Sequence, residues 1–144
     1  MNKVFANGTI LTIPKLSIMK ITEEEGMALC KFYIGSIQEN NGETGTVDRF
    51  PVVCFGNLAF YLKNNYEVGS KIILYGFLKN YSYKDANNTK HKTQVLVATE
   101  IADTLDGNIS NLNDVEVKGY KIMEEKGYSM IDDVEIEFLE TIYK

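Results

Sequence analysis

Aromatic and basic side chains alternate along one stretch of this chain, between residues 77 and 84. In a β-strand, residues two apart lie on the same face, so this spacing places Lys79, Tyr81 and Tyr83 together. Aromatic rings beside cations on a sheet surface suit stacked bases and a phosphate backbone. The stretch therefore predicts a surface that binds single-stranded nucleic acid.

Two further segments place aromatic and basic residues on one side of a strand. The even-numbered residues of segment 27–37 are mostly apolar and predict a core face, so Lys31 and Tyr33 point the other way. In the segment that ends at Phe55, Arg49 and Phe55 share a face. Each residue also has an ordinary explanation, because strand aromatics commonly pack in cores or subunit contacts and lysines are commonly solvated.

The elements that must position these residues are mostly strands. The segments predicted as strands are 1–12, 16–22, 27–37, 50–55, 71–84 and 90–101, and residues 57–64 are predicted as a short helix. The polar run 38–46 predicts a hairpin loop. The strand that contains Pro51 is predicted to lie at a sheet edge or to have a bulge there, because proline has no backbone N–H to donate to a neighbouring strand. Hairpin-linked strands with one short helix favour a mainly β fold, a small β-barrel.

Charge divides the chain into two predicted regions. The whole chain has a formal net charge of −5. Residues 1–105 hold 11 Lys and Arg against 10 Asp and Glu, whereas residues 106–144 hold 4 against 10. We therefore expect a near-neutral domain over 1–105 and an acidic C-terminal segment over 106–144. A near-neutral domain binds a polyanion when its cations cluster on one face.

The acidic segment is expected to be partly helical. Residues 106–114 form a polar, linker-like run. An apolar stripe between Ile131 and Ile142 predicts a helix that packs on the barrel or on a partner chain. Residues 118–126 predict a weaker helix, interrupted by Gly119.

Composition excludes several classes of protein. No run of about 18 apolar residues is present, so we expect no membrane-spanning helix. We also expect the protein to be cytoplasmic. Cys30 and Cys54 lie in apolar segments without metal-ligand spacing, and His91 is the only histidine. We expect two buried, reduced thiols, no bound metal and no cofactor. No phosphate-binding loop or nucleophile–base pair is recognisable, so no enzymatic activity is expected.

Over residues 1–103 the chain resembles bacterial-type single-stranded DNA-binding proteins, which have an OB-fold. The opening Met-Asn-Lys-Val-Phe-Ala-Asn-Gly-Thr-Ile looks like the first strand of that family. The block Val-Val-Cys-Phe-Gly-Asn-Leu-Ala at 52–59 is similar to a second family motif. A third, Val-Gly-Ser-Lys-Ile-Ile-Leu-Tyr-Gly-Phe-Leu-Lys, spans 68–79. The resemblance implies a five-stranded OB-fold barrel with a short helix, followed by the acidic, partly helical appendage.

Members of this family stack bases on aromatic residues. The resemblance implies the same role for the residues of this chain that stand at the matching positions. Phe55 stands where the family has a stacking phenylalanine, and Tyr83 occupies the strand position of another stacking aromatic. Lys79 stands where members have a basic residue, and Arg49 where many have tryptophan.

This chain has no tryptophan, so other aromatic residues are expected to take its place. The substitutes considered are Tyr33, Phe77 and Tyr81, with Lys31 and Lys84 as further cations. The candidate DNA-binding residues are therefore Lys31, Tyr33, Arg49, Phe55, Phe77, Lys79, Tyr81, Tyr83 and Lys84.

The resemblance implies sequence-independent binding of single-stranded DNA in replication, recombination or repair. It also implies a homo-oligomer, a tetramer or a dimer, with replication or repair proteins as candidate partners of the acidic segment. The alternative is an OB-fold interaction or assembly module whose nucleic-acid binding is weak or lost. The absence of tryptophan and the acidic segment favour this alternative to some extent.

Overall fold

A computed structural model describes residues 3–20, 22–40, 43–84, 86–103, 107–110 and 115–125. Seven strands and two helices lie within these residues. The strands are β1 (Val4–Ile10), β2 (Lys15–Lys20), β3 (Gly26–Asn40), β4 (Glu43–Phe55), β5 (Lys71–Lys84), β6 (Lys90–Asp103) and β7 (Gly107–Ser110). The helices are α1 (Asn57–Asn65) and α2 (Val115–Glu125).

Five of the strands close into a barrel. Hydrogen-bonded neighbours follow the order β1-β5-β6-β4-β3, and a further pairing of β1 with β3 completes the ring. β2 extends the sheet beyond β3, and β7 pairs with β6. A small five-stranded barrel with one short helix between strands is the OB-fold architecture, and the predicted mainly β fold is confirmed.

The barrel interior is filled by one face of each strand. Cys30 and Phe32 of β3 pack with Val52 and Cys54 of β4, as the period-two alternation predicted. α1 adds three buried residues from one side of the helix, Leu58, Ala59 and Leu62. The turn into α1 requires Gly56, whose φ of 67° lies in the left-handed region that favours glycine.

Strands β3 and β4 are longer than predicted. The expected hairpin loop over 38–46 is instead paired strand, with Gln38 opposite Gly45 and Asn40 opposite Glu43. Polar residues pair here because ladder hydrogen bonds come from the backbone and need no apolar side chains. The intervening Asn41-Gly42 is a dipeptide that tight hairpins favour, a signal that the loop prediction overlooked. An irregularity was expected at Pro51, and the register shows one close before it on β4. Between the pairs Ile34–Phe50 and Ser36–Val47, β4 has one residue more than β3.

The predicted linker 106–114 contains a strand. Its residues Gly107–Ser110 form β7, which pairs antiparallel with the end of β6. A segment of four residues with one large apolar side chain, Ile109, is too short for an alternating pattern to show in the sequence. The strand forms because an edge of β6 supplies backbone hydrogen bonds and Ile109 packs against the barrel interior. The predicted boundary between residues 105 and 106 falls outside the described residues.

The two cysteines face each other inside the barrel. Cys30 and Cys54 are directly opposite on β3 and β4, and both are buried free thiols, as expected. A hydrogen bond with Cys30 and burial raise the pKa of the Cys54 thiol well above its usual range. A protonated, buried thiol is a poor nucleophile.

We expect both thiols to be unreactive toward Ellman's reagent in the folded protein and fully reactive in denaturant. Because the pKa of Cys54 is higher in the folded than in the unfolded chain, its contribution to stability is complete below the unfolded pKa. That contribution is lost as the pH rises toward the folded pKa. Rapid reaction of either thiol with Ellman's reagent in the native protein at pH 8 would contradict the burial of this pair.

Candidate nucleic-acid interface

The outer face of the barrel carries a continuous row of side chains across five strands. Register places Lys15, Lys31, Val53, Val97 and Phe77 side by side on β2, β3, β4, β6 and β5. The row runs from a cationic margin to an apolar centre. It therefore brings together candidates that lie up to 46 positions apart in the sequence, Lys31 and Phe77.

An arginine and a tyrosine form one edge of this outer face. The Arg49 guanidinium carbon lies 5.1 Å from the centroid of the Tyr33 ring, and Arg49 is exposed while Tyr33 is buried. The connection between β1 and β2 holds the Tyr33 backbone in place. The Tyr33 amide donates to Thr12 Oγ1 at 2.8 Å, and Leu11 donates to the Tyr33 carbonyl at 2.9 Å. Arg49 thus presents its charge to solvent above a fixed ring.

A second cation–aromatic pair lies on β5. Lys79 Nζ is 5.6 Å from the centroid of the Phe77 ring, and Lys79 is exposed whereas Phe77 is buried. Cation–π attraction at an exposed site is worth about 0.5–1 kcal/mol, enough to bias where the ammonium group lies. Lys79 and Arg49 are the described candidate cations that face solvent.

Helix α2 covers the centre of the outer face. Phe55, on this face, is 0% exposed, and it packs in one apolar cluster with Phe77, Tyr120 and Met123. The α2 backbone lies directly on the Phe55 ring: a Cβ added at Gly119 would come within 2.5 Å of two ring carbons. Gly119 is therefore needed for the close approach of helix and ring.

Tertiary packing, more than intrinsic propensity, holds α2 in place. An 11-residue helix is marginal in isolation, and an interior glycine costs roughly 1 kcal/mol relative to alanine. Burial of Tyr120 and Met123 contributes about 1.5–3 kcal/mol each. The Tyr120 hydroxyl also donates to the Asn80 carbonyl at 3.1 Å, which ties the helix to β5.

The expectation that Gly119 interrupts this helix is wrong. α2 starts three residues earlier than the predicted 118–126 and continues through Gly119, because docking on the barrel compensates for the poor propensity of glycine. The predicted stripe between Ile131 and Ile142 lies outside the described residues.

The structure divides the remaining candidates into two groups. Lys31 is 4% exposed, so the expectation of a solvated lysine is wrong: its position on the outer face is covered. Tyr81, Tyr83 and Lys84 lie on β5 where it pairs with β6, and their side chains fall outside the description. The DNA-binding roles of all nine candidates stay predictions.

One feature of the sequence did indicate the covered face. The runs Val52–Phe55 and Val95–Ala98 are apolar at successive positions, which is typical of strands buried on both sides. The structure buries both sides of these strands, one toward the barrel interior and one toward α2.

Among the described residues, no group of three or more His, Cys, Asp or Glu side chains could hold a metal ion. Neither helix in the described part of the chain is long and apolar enough to cross a membrane.

A comparison with protein families identifies the family of the chain. The model of the single-strand binding protein family matches residues 1–103. The chain belongs to this family. The crystal structure of the SSB domain of a Synechococcus sp. protein is similar, with 18% identity and a TM-score of 0.49. That match covers 70% of this chain and 93% of the other. No curated protein matches the chain.

The family match leaves the C-terminal elements of this single-strand binding protein outside the matched region. It ends at residue 103, the last residue of β6, so β7 and α2 lie beyond it. The helix that covers Phe55 is therefore contributed by a segment outside the matched region.

Proposed function

We propose that this protein binds single-stranded DNA without sequence preference and serves replication, recombination or repair in the cytoplasm. Membership of the single-strand binding protein family is the observation that carries the proposal. The outer face supports it, because aromatic side chains there lie beside cations. Stacking on rings and neutralisation of phosphates together explain binding to any sequence. No bond is made or broken, and no cofactor or metal takes part.

Each side of the outer face contributes a different part of the binding surface. Arg49 and Lys79 are exposed and contact phosphates, while Phe55 and Phe77 provide rings for bases. Tyr83, which pairs with His91 of β6, has the same strand parity as Phe77 in the sequence and is proposed as a further stacking residue. The remaining candidates, Lys31, Tyr33, Tyr81 and Lys84, border this path on β3 and β5.

An exposed apolar patch supports self-association into a dimer or tetramer. Phe5 on β1 is 57% exposed, and its ring lies 5.5 Å from that of Tyr75 on the paired strand β5. Ile73, also on β5, is exposed as well. Apolar side chains that cluster on a surface are typical of interaction sites. The acidic segment 106–144 is proposed to recruit replication or repair proteins.

Binding of fluorescent oligo(dT), titrated over a range of salt concentrations, tests the function. We expect a shallow decrease of log K with log salt, because few cations line the face, at about −0.7 per neutralised phosphate. Lys79→Ala should make the slope shallower by about 0.7. Lys71→Ala is the matched control: Lys71 is exposed on the same strand, about 26 Å away at 3.3 Å per residue.

An absence of binding at low salt, with the protein folded, would contradict the proposal. The covered face favours the second candidate function, an OB-fold interaction module with weak or lost nucleic-acid binding, since Phe55 and Phe77 are already packed. If the protein is such a module, log K for oligo(dT) should not depend on salt, and Lys79→Ala should have no effect on binding.

A further inference from the structure

We propose that the open end of the barrel is a second contact site for the bound single strand, where one nucleobase turns in from the outer face. The inference rests on the proposed function and names a ligand for a site that lies away from that face. A cavity of about 350 Å³ opens at this end of the barrel. Its volume is within the range of small-molecule sites, roughly 300–1,000 Å³.

Strand pairing leaves this end of the barrel open. Among the described residues, β1 pairs with β3 at Thr9 and Ile10 only, so its earlier residues are separated from β3. β4 pairs with β6 at Val52 and Val53 only, so the two strands also part on this side. The other end is closed by α1, whose buried face joins the interior cluster. The cavity is thus the one entrance that the described strands leave into the interior.

Apolar side chains of the inner face form the floor of the cavity. They are Val4, Ala6, Ile34, Phe50, Leu78 and Leu96. Phe50 and Leu78 are only half-buried, whereas Phe32 and Val52, deeper in the same cluster, are 0% exposed. The interior below is therefore filled and the cavity is shallow. A shallow apolar floor suits the face of a flat ring.

Hydrogen-bonding groups surround this floor. Asn7 and Ser36 line the cavity and are exposed, and both side chains donate as well as accept. In addition, alternate residues of a strand paired on one side direct their backbone N–H and C=O groups to the other side, which holds for β1 before Gly8. A nucleobase has apolar faces and an edge of donors and acceptors. An acyl chain or an apolar side chain would leave these rim groups unpaired, so the chemistry favours a base.

Two exposed cations lie next to the cavity. Arg49 directly precedes Phe50 and Lys79 directly follows Leu78, and neighbouring residues of a strand lie on opposite faces. A single strand whose phosphates contact Arg49 and Lys79 on the outer face therefore passes the cavity. Phosphate contacts on either side then hold one nucleotide where its base can enter.

Asn7→Ala tests this site by removing an amide from the rim. We expect oligo(dT) to bind roughly threefold to tenfold more weakly, the usual effect of losing one hydrogen bond. Asn64→Ala is the matched control, because Asn64 is exposed on α1 at the closed end, and it should bind as wild type does. An abasic oligomer of deoxyribose phosphates should bind equally to all three proteins, since it has no base to lose.

Photo-crosslinking shows where the base lies. Oligo(dT) with one thymine replaced by 5-iodouracil should cross-link to the wild-type peptide that contains Phe50. Ala6→Leu, which fills the cavity, should lose this product. Ala102→Leu, a half-buried alanine on β6 near the closed end, should keep it.

Three results would overturn the site. The first is cross-linking of wild type through outer-face peptides alone, and the second is an Asn7→Ala variant that binds oligo(dT) as wild type does. The third is weaker binding by Asn7→Ala together with a smaller assembly in light scattering, which would make the cavity a subunit contact. In each case binding of oligo(dT) by wild type leaves the proposed function standing. If folded wild type binds no oligo(dT), the proposed function is overturned, and this site with it.

Discussion

Replacement of Gly76 by alanine is expected to destabilise the barrel by about 3 kcal/mol or more. A Cβ at this position would lie 2.1 Å from the Val97 carbonyl oxygen and 2.9 Å from its carbon. Both atoms belong to the backbone, so no side-chain rotation relieves the clash. β5 and β6 would have to separate at the register shift beside Gly76, with loss of ladder hydrogen bonds.

The loss should appear as a decrease in Tm of roughly 10 °C, measured by circular dichroism. Gly69→Ala is the matched control. Its φ of 93° disfavours alanine, but nothing lies within 4 Å of the added Cβ. Strain alone should cost about 1–2 kcal/mol. Equal losses for the two variants would show that the approach of β5 to β6 at Gly76 is looser than described.

Phe55→Ala is expected to cost about 3–5 kcal/mol of unfolding free energy. The side chain is 0% exposed, and its removal leaves a cavity between the outer face and α2. The cost should lie toward the lower end of this range, because α2 lies outside the barrel and can move inward to fill part of the space.

Phe60→Ala is the control for Phe55→Ala in urea denaturation. Phe60 lies on α1 and is 45% exposed, so its truncation should change stability by about 0.5 kcal/mol. If Phe55→Ala cost no more than Phe60→Ala, the Phe55 ring would not be packed under α2. Because the expected loss is large, any DNA-binding measurement on Phe55→Ala needs conditions in which the variant is folded.

The position of α2 changes how the aromatic residues of this family member should be interpreted. Phe55 has two uses in the same protein: it packs against a helix in the described structure, and it is proposed to stack on a base in the DNA complex. A large apolar side chain on an outer face suits both, since burial against either occupant removes the same ring from water. A variant at Phe55 therefore changes stability and binding together.

The sequence by itself determined most of the barrel. Alternation with a period of two assigned the inner face of β3, and the structure places Cys30 and Phe32 in the interior as predicted. Strand β5 has the predicted bounds, Lys71–Lys84. These predictions succeeded because alternation is a local property: a shift of one residue would move every apolar side chain to the wrong face.

Only the tertiary structure decided what lies on the other face. Gly119 and Phe55 are 64 positions apart in the chain, and no local pattern states that they meet. From propensity alone, Gly119 weakens a helix; in the fold, it is the residue that lets the helix approach the ring. The helix forms there because burial of Tyr120 and Met123 against the barrel outweighs its poor intrinsic stability, a free energy that exists only once the barrel is assembled.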